Sequence, residues 1–396
     1  FEIQPWNFST NHFFIDESYR PYYEPYYQFD PPQVPSQSDQ IVEIEVWGQY
    51  VGIDRSQTRN GVSIIDLPAR PAGGYHDSIR NSPETAGQTE AALYKILQRD
   101  KDYELVGDGY IGVVSLVGVN ETQSVGVAYR TAGGLQVGEF FRDVSGNDSS
   151  KIALRLLKPR NLVAVGPSYR KAWNRMLKNI YSIPVRNVKQ EVFSLEVVRK
   201  ASGLEDQKDL KGQPLLQVLG LDRYNSQGVL GSDNVFDFRS GRTINQARGE
   251  IIFPSLRPFD STIVLYFSTR GGLAPGDSSI LYKEIYDTTR TEAQRVNSEK
   301  SYVLKGSAKG EASSKYQLGF NVVEGSVKVW FNGAQQVPNV DYTVDYIVGE
   351  VNIRNQSALV PGANLLIKYE QNDLFQLASK TLLGDLQAGP DKNGTP

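Results

Sequence analysis

Apolar and polar residues alternate over short stretches along most of the chain, which is the pattern of β-strands that bury one face. The clearest stretches are "IVEIEVW" (Ile41–Trp47), "VFSLEVVRK" (Val192–Lys200) and "SVKVWFNG" (Ser326–Gly333). Each is followed along the chain by a glycine that leads a second short strand, in "GVVSL", "GEIIF" and "GEVNI". We therefore expect strands to form most of the protein.

The same landmarks surround each of these glycines, which indicates an internal repeat. An Asp-aromatic pair precedes the glycine, at Asp102-Tyr103, Asp237-Phe238 and Asp341-Tyr342. A strand ending in tyrosine follows the glycine, at Tyr129, Tyr266 and Tyr369. A strand, an Asp-aromatic corner, a glycine-led strand and a return strand together describe a small antiparallel sandwich.

The predicted fold is mainly β, with two or three small antiparallel β-sandwich-like modules in tandem and a few short helices. The expected divisions are an extended aromatic and proline-rich segment (1–40), a first β module (41–165), a short helix with a second β module (166–275), a third β module (276–380) and a polar tail (381–396). We expect six residues in the sandwich cores: Trp47, Val113, Leu195, Ile251, Val329 and Val351. Trp330 should face away from Val329 on the pleat, which makes it a candidate contact with a partner.

Three stretches carry weaker helical patterns. Ser82–Asp100 has a possible cap at Ser82 and a proline at the next position. Tyr169–Tyr181 places Trp173, Met176, Leu177 and Ile180 at helical spacing, with Pro184 ending the pattern. The third candidate is "SSILYKEIYDTTRTEAQRV". We expect all three to pack on sheets.

Composition limits the class of protein. A chain of 396 residues is long enough for two or three domains, and its hydrophobic content of 39% is typical of globular proteins. A net charge of −3 gives no electrostatic reason to expect a nucleic-acid partner. No run reaches the roughly 18 apolar residues of a membrane helix. The first residues carry no signal peptide pattern, so we interpret the chain as a piece of a larger one.

The residue inventory argues against most enzyme classes. The chain contains no cysteine and two histidines, so thiol chemistry and a histidine-rich zinc site are excluded within it. A serine hydrolase triad would need His12 or His76. His76 follows "PAGGY", a turn pattern, and a solvated loop position is the favoured interpretation. No cofactor is expected.

The hairpin "NVDYTVDYIVGEVNI" is the other candidate for chemistry. Because it belongs to the repeat, the favoured interpretation is structural, with Asp341 as a turn residue that accepts backbone N–H groups. Tyr342 would pack on the core, while Asp345 would open the hairpin that Gly349 turns. A calcium site and a pair of acid/base carboxylates remain as alternatives.

The N-terminal segment "HFFIDESYRPYYEPYYQFDPPQVP" is rich in aromatic residues and proline, which should keep it extended. Such a row of rings can dock an extended segment on a neighbouring domain, or it can line a groove for sugars or cargo. Docking is the favoured interpretation. The candidate docking residues are Phe13, Phe14, Tyr19, Tyr22, Tyr23, Tyr26, Tyr27 and Phe29.

Several long segments resemble one family in the same order. They include "HFFIDESYR", "VGEFFRDV", "LRLLKP", "WNRMLKNIYSI", "LLQVLGLDRYNSQG", "GRTINQARGEIIFPSLRPF", "KEIYDTTRTEAQ" and "GSVKVWFNGAQQVPNVDYTVDYIVGEVNI". The chain resembles the SprA/Sov proteins, the giant outer-membrane translocons of the Bacteroidota type IX secretion and gliding-motility system. The resemblance extends from about His12 to Lys380, and the segment around Gly249–Pro258 is its most specific part.

This resemblance implies a non-enzymatic structural part of a translocon, one that caps, lines or braces the pore at the outer membrane or cell surface. The extracellular side is favoured over the periplasmic side. The implied partners are the barrel portion of the same translocon, its accessory outer-membrane proteins and secreted protein cargo. The alternative is a secreted adhesin or glycan-binding β-sandwich protein, which the composition also allows.

Overall fold

The computed structural model describes residues 1–52, 55–119, 122–144, 151–183, 185–200, 206–296, 302–312, 315–318, 322–346, 349–359, 364–373 and 376–385. Within these residues the protein is mainly β, with several small antiparallel sheets and a few short helices, so the predicted fold class is confirmed. All six residues expected in the cores are buried.

The strands fall into three groups along the chain. The first group is β1 (Glu2–Ile3), β2 (His12–Phe14), β3 (Ile41–Gln49), β4 (Thr58–Ile64), β5 (Thr89–Ile96), β6 (Tyr103–Val106), β7 (Val113–Leu116), β8 (Val125–Thr131), β9 (Gln136–Val137) and β10 (Ile152–Lys158). The second is β11 (Ile180–Ser182), β12 (Val185–Arg186), β13 (Ser194–Arg199), β14 (Asp209–Leu210), β15 (Gln213–Pro214), β16 (Ile244–Asn245), β17 (Glu250–Ile252) and β18 (Tyr302–Ser307). The third is β19 (Glu311–Ala312), β20 (Lys315–Gln317), β21 (Lys328–Phe331), β22 (Ala334–Gln335), β23 (Tyr342–Asp345), β24 (Glu350–Ile353), β25 (Asn364–Asp373) and β26 (Gln376–Asp385).

The helices are short. The α-helices of the described residues are α1 (Arg20–Gln28), α2 (Asp77–Arg80), α3 (Arg170–Arg175), α4 (Leu215–Val218), α5 (Ser261–Ser268), α6 (Glu284–Asp287) and α7 (Arg290–Arg295). Short 3-10 helices occupy Glu17–Tyr19, Gln37–Asp39, Gly107–Gly109, Phe141–Asp143, Gln190–Val192, Pro275–Ile280 and Gln356–Leu359.

Five strands recur three times with the same pairing, which gives the repeat a structural definition. In repeat 1, β2, β7 and β6 form a sheet in that order, and β3 pairs with β8. In repeat 2, β11, β17 and β16 form the equivalent sheet, and β13 pairs with β18. In repeat 3 the sheet is β20, β24 and β23, and β21 pairs with β25. All of these pairings are antiparallel.

The glycine before the central strand of each sheet has a left-handed backbone. Its φ is 56° at Gly112, 67° at Gly249 and 63° at Gly349, a region that glycine enters without a steric penalty. Its carbonyl accepts a hydrogen bond from the residue that follows the first strand of the repeat. The nitrogen-to-oxygen distance is 2.9 Å from Ile15, 2.8 Å from Ile183 and 2.7 Å from Leu318. The glycine therefore fixes how the first strand leaves the sheet.

Repeat 2 departs from the predicted landmarks at two places. The stretch "TIVLYF", expected as its return strand, is part of α5, because Ile263 and Phe267 bury one helical face at spacing i, i+4. The return strand is β18 instead, so repeat 2 continues past residue 275 to Ser307. The pair Asp237-Phe238, expected as the corner, lies outside the strands and the corner itself begins at Arg239.

The first group of strands contains a closed five-stranded barrel in the order β10, β4, β5, β3 and β8, with β8 pairing back to β10. Tyr94 of β5 fills its interior, and its hydroxyl lies 2.6 Å from the hydroxyl of Ser63. The helix predicted over Ser82–Asp100 is wrong, because Thr89–Ile96 is a strand paired on both edges. Ala92, Tyr94 and Ile96 occupy every second position, so the sequence does contain the two-residue period of a strand.

The helix predicted over Tyr169–Tyr181 is shorter than expected. It ends at Arg175, and Ile180 begins β11. The four apolar residues of the pattern are all buried. They are divided between α3, the connection that follows it, and β11. The third helical candidate is confirmed, since α6 and α7 lie within it.

Among the described residues, repeats 1 and 2 share the largest core and repeat 3 has a core of its own, while two smaller clusters lie around Tyr94 and around Leu156. One continuous cluster extends from Ile3 to Leu304 and joins repeats 1 and 2. A second cluster, from Leu318 to Ile367, belongs to repeat 3 alone. The pairing of β12 with β19 links the second repeat to the segment that leads into the third.

Candidate docking surface

The aromatic N-terminal segment docks on the protein itself. Phe13, Phe14, Tyr19, Tyr23 and Tyr27 are buried. The extended conformation predicted for the segment is wrong between Arg20 and Gln28, where α1 forms with a proline at its second position. Proline is compatible with the first turn of a helix, whose N–H groups have no intrahelical partner. Two further proline residues, Pro31 and Pro32, follow the end of α1.

Tyr23 is the central contact of α1. Its ring lies edge-on to Phe14 of repeat 1, with the ring centroids 5.9 Å apart. Its hydroxyl accepts a hydrogen bond of 2.9 Å from the Asn179 side chain, which comes just before β11 of repeat 2. Burial raises the pKa of the Tyr23 and Tyr27 hydroxyls well above the usual tyrosine value, so both stay neutral. The helix thus touches both repeats through one ring.

Polar contacts hold α1 against the segment after β17. The Gln28 side chain donates to the Ser255 hydroxyl at 3.0 Å. The Glu24 carboxylate accepts from the backbone N–H of Leu256 at 3.0 Å. The guanidinium groups of Arg223 and Arg242 donate to the carbonyls of Gln28 and Tyr26 at the end of the helix, where cations also complement the helix dipole.

Little of the aromatic segment remains available to a partner. Phe29 is 47% exposed, and Tyr22 and Tyr26 are half-buried. Arg242 lies over the Tyr26 ring, 5.1 Å from its centroid. The arginine residues that hold α1 carry no pattern in the sequence that connects them with it, because they lie about two hundred residues further along the chain.

A Ser-His-Glu group lies at the junction of repeats 1 and 2. The His12 Nδ1 atom is 2.7 Å from the Ser115 hydroxyl, and its Nε2 atom is 3.3 Å from the Glu250 carboxylate. A catalytic serine must be open to substrate, but Ser115 is 3% exposed and His12 is 1% exposed. The geometry therefore suits a buried polar bridge between β2, β7 and β17.

The half-buried Arg248 completes this group. Its guanidinium lies 3.7 Å from Glu250 and 3.4 Å from Glu104, and it donates to the Leu116 carbonyl at 3.0 Å. Burial raises the pKa of Glu250, but His12 and Arg248 outweigh burial and leave this pKa below its usual value. The carboxylate is therefore held ionised between the two repeats.

The hairpin of repeat 3 contains the other predicted residues. The Asp341 carboxylate accepts from the backbone N–H of Val337 at 2.8 Å. Tyr342 is buried and donates to the Val327 carbonyl at 2.9 Å, which ties the two sheets of the repeat together. Tyr346 packs against the same core. Asp345 ends β23, and Gly349 precedes β24.

The same corner occurs in all three repeats. The Asp102 carboxylate accepts from the Gln98 N–H at 2.8 Å, and the Thr243 hydroxyl accepts from the Arg239 N–H at 3.1 Å. The carbonyls of Asp102, Thr243 and Asp341 accept from backbone N–H groups at or just after the end of the central strand. The donors are Val117, Ile252 and Arg354, at 2.8, 2.8 and 2.7 Å. Threonine thus performs in repeat 2 the role that aspartate performs in the others. Within the described residues, no group of three or more His, Asp or Glu side chains is placed to hold a metal ion.

Trp330 lies on the opposite side of β21 from the core. Val329 is fully buried, whereas Trp330 is half-buried. The Lys368 ammonium group lies 5.3 Å from the centre of the indole, a distance typical of a cation–π contact. Part of the ring remains open to a partner.

No protein-family model matches the chain, and no curated protein matches it significantly. Among the residues that the structure describes, no helix is long and apolar enough to cross a membrane.

Proposed function

We propose that the chain is a non-enzymatic structural part of an outer-membrane protein-secretion translocon of the type IX system. The observation that carries the proposal is the ordered resemblance to the SprA/Sov proteins. Its most specific segment, "GRTINQARGEIIFPSLRPF", forms β16, β17 and the loop that holds α1. The role proposed for this part is a brace.

The position of the other resembling segments supports the same role. "HFFIDESYR" contains β2 and the start of α1, and "WNRMLKNIYSI" contains the end of α3 and all of β11. These elements meet around Tyr23 and His12, at the junction of repeats 1 and 2. A segment selected to brace a large assembly is expected to concentrate its specific residues at such internal junctions.

The proposed location is the outer membrane or cell surface, with the extracellular side favoured. The proposed partners are the barrel portion of the same translocon, its accessory outer-membrane proteins and secreted cargo. Phe29 is exposed, and Tyr22, Tyr26 and Trp330 are half-buried, so these four candidate contact residues remain at least partly accessible.

A secretion assay tests the proposal. In a Bacteroidota bacterium that encodes the parent chain, the segment equivalent to 12–380 is deleted in frame, and release of a type IX cargo into the medium is measured. We expect the cargo to stay in the cell while the parent chain remains in the outer membrane by immunoblot. Normal secretion with the deleted parent chain still present would contradict the proposal.

The adhesin alternative makes a different prediction. The purified chain should then bind a glycan surface saturably, and its gene should encode a short secreted protein. A parent reading frame several times longer than this chain, without saturable glycan binding, would favour the translocon.

A further inference from the structure

The strand pair β21 and β25 of repeat 3 has one face on the core and one face away from it. Val329 lies on the core face and is fully buried. Because side chains alternate along a strand, the neighbours of Val329 lie on the opposite face. There Trp330 pairs with Leu366, and Lys328 pairs with Lys368. We call these four residues the outer face of repeat 3.

The equivalent face is covered in the other two repeats. In repeat 1 it carries Trp47 of β3 and Ala128 of β8, which are fully buried in the interior of the barrel. In repeat 2 it carries Val198 of β13 and Val303 of β18, each 1% exposed. The tryptophan and the leucine of the outer face of repeat 3 are only half-buried. Since protein covers this face in repeats 1 and 2, a protein segment is the expected occupant in repeat 3.

The two lysine residues give the outer face a positive charge. Lys328 and Lys368 lie directly opposite each other, an arrangement in which like charges destabilise a sheet. Both are exposed, and neither forms an ion pair among the described residues. Glu370, two residues beyond Lys368 on β25, is paired with neither of them. A partner with carboxylate groups would relieve the repulsion between the lysine residues.

The shape and charge of the outer face favour a protein partner over a membrane. Attachment to an anionic lipid surface by charge takes a cluster of roughly four to eight basic residues, but this face has two. Trp330 is half-buried in the sheet, and the Lys368 ammonium group lies 5.3 Å from the centre of its ring, so the indole does not protrude far enough to enter a bilayer. Tryptophan is enriched among the residues that contribute most to protein interfaces.

We propose that the outer face of repeat 3 binds an extended protein segment with an aromatic residue and an acidic residue two positions away. The aromatic ring packs on Trp330 and Leu366, and the carboxylate pairs with Lys328 and Lys368. This spacing fits because residues two apart in an extended segment lie on one side, about 6.6 Å apart, as the two rows of the outer face do. The inference rests on the proposed function, which counts Trp330 among its contacts, and adds the chemistry of the partner.

The probe is the peptide Glu-Ser-Phe-Ser-Glu, blocked at both ends and labelled with fluorescein, which has the required spacing in either direction. Its binding to the purified chain is measured by fluorescence anisotropy. We expect saturable binding that weakens as salt is added, because the lysine residues are exposed. The control peptides Gln-Ser-Phe-Ser-Gln and Glu-Ser-Ala-Ser-Glu should each bind about tenfold more weakly. Equal binding of the probe and either control, or no binding of the probe in the millimolar range, would overturn the proposal.

Matched variants localise the binding. Trp330→Ala should weaken binding of the probe at least about tenfold, and Lys328→Gln combined with Lys368→Gln should weaken it about tenfold. Lys189→Gln combined with Lys283→Gln makes the same charge change at exposed positions of repeat 2 and should leave binding intact. If Trp330→Ala does not fold, the pair of lysine substitutions in repeat 3 decides. Unchanged binding in that pair would overturn the proposal.

Lipid vesicles test the other class of partner. Sedimentation of the chain with phosphatidylserine vesicles, lost in the variant without Lys328 and Lys368, would overturn the proposal and assign the outer face to a membrane. Failure of the peptide assay leaves the result of the secretion assay standing, because that assay removes the whole segment. Normal secretion in the deletion strain leaves peptide binding by the purified chain measurable, so the two proposals fail separately.

Discussion

Single residues with equivalent roles show what the repeat requires. At each corner one side-chain oxygen accepts a backbone N–H four residues earlier in the chain, and the residue is Asp102, Thr243 or Asp341. What the corner requires is an acceptor oxygen and not a negative charge, because a hydroxyl is sufficient in repeat 2.

Substitutions at Asp341 test this requirement. Asp341→Asn and Asp341→Thr should leave the free energy of unfolding nearly unchanged, since both keep an acceptor. Asp341→Ala should lower it by about 1 kcal/mol, by analogy with the loss of a helix-capping acceptor. Urea unfolding measures the difference.

A chelator experiment addresses the calcium alternative for the same residue. If Asp341 is a turn residue, a chelator should leave the melting temperature of the wild type unchanged. A fall in the wild type that is absent from Asp341→Asn would show that the hairpin binds calcium.

Gly249 is constrained by its conformation and by its surroundings. Its φ is 67°, and a Cβ atom there would overlap the Val185 carbonyl oxygen. Gly249→Ala should therefore lower the free energy of unfolding by about 3 kcal/mol, combining the left-handed penalty with steric overlap.

Gly241 is the matched control for Gly249. Its φ is 73°, but a Cβ atom would meet nothing within 4 Å. Asp100 and Asn339 adopt a φ of 64° at the equivalent corner positions of the other repeats. Gly241→Ala should consequently cost about 1 kcal/mol. Equal losses in the two variants would refute the steric explanation.

Among the elements, α1 packs on both repeat 1 and repeat 2. Tyr23→Ala removes a fully buried ring and one of the two acceptors of the Asn179 side-chain amide, so it should lower the free energy of unfolding by about 3–5 kcal/mol. Tyr22→Ala, on the half-buried side of the same helix, should cost less than half as much. Guanidinium unfolding of both variants checks the prediction, and similar losses would show that Tyr23 is not the central contact.

Elements that depend on neighbouring residues were predictable from the sequence. The glycine-led strands and the strands before them have alternating residues and a left-handed glycine, which are local properties. Burial of Trp47 and Ile251 follows from that alternation.

Elements that depend on distant contacts were not predictable in the same way. The stretch at Ser261–Ser268 is apolar enough for either strand or helix, and its packing decides in favour of α5. The corner of repeat 2 was misplaced because Thr243 replaces the aspartate that marks it elsewhere. The buried group of His12 and Glu250 joins residues far apart in the chain, and no local sequence pattern at either residue predicts the contact.

The whole molecule should unfold in two steps, because the core of repeat 3 is separate from the one that repeats 1 and 2 share. Ile251 of β17 and Val351 of β24 occupy the same position in repeats 2 and 3, and both are fully buried. Ile251→Ala should lower only the transition of repeats 1 and 2, and Val351→Ala only that of repeat 3. Scanning calorimetry separates these transitions. A single transition that both variants lower equally would show that the repeats fold as one unit.

The junction between repeats 1 and 2 should weaken in acid. Because the pKa of Glu250 is lower in the folded chain than its usual value of 4.5, its contribution is complete above that value and is lost as the pH falls through the folded pKa. The wild type should therefore lose more stability than Glu250→Gln between about pH 5 and pH 3. Glu191→Gln, at an exposed position, should follow the wild type. Parallel pH profiles for wild type and Glu250→Gln would show that Glu250 does not couple the repeats to pH.

The connection between the central strand and the return strand differs greatly among the repeats. It runs from Leu116 to Val125 in repeat 1 and from Ile353 to Asn364 in repeat 3, but from Ile252 to Tyr302 in repeat 2, where it carries α5, α6 and α7. The sandwich closes when the return strand pairs with the first long strand of its repeat. The free-energy cost of bringing these two strands together depends only weakly on the length of the connection. This connection is therefore a favourable insertion site. An evolving or engineered chain can acquire a new subdomain there without a change in the strand pairing of the repeat.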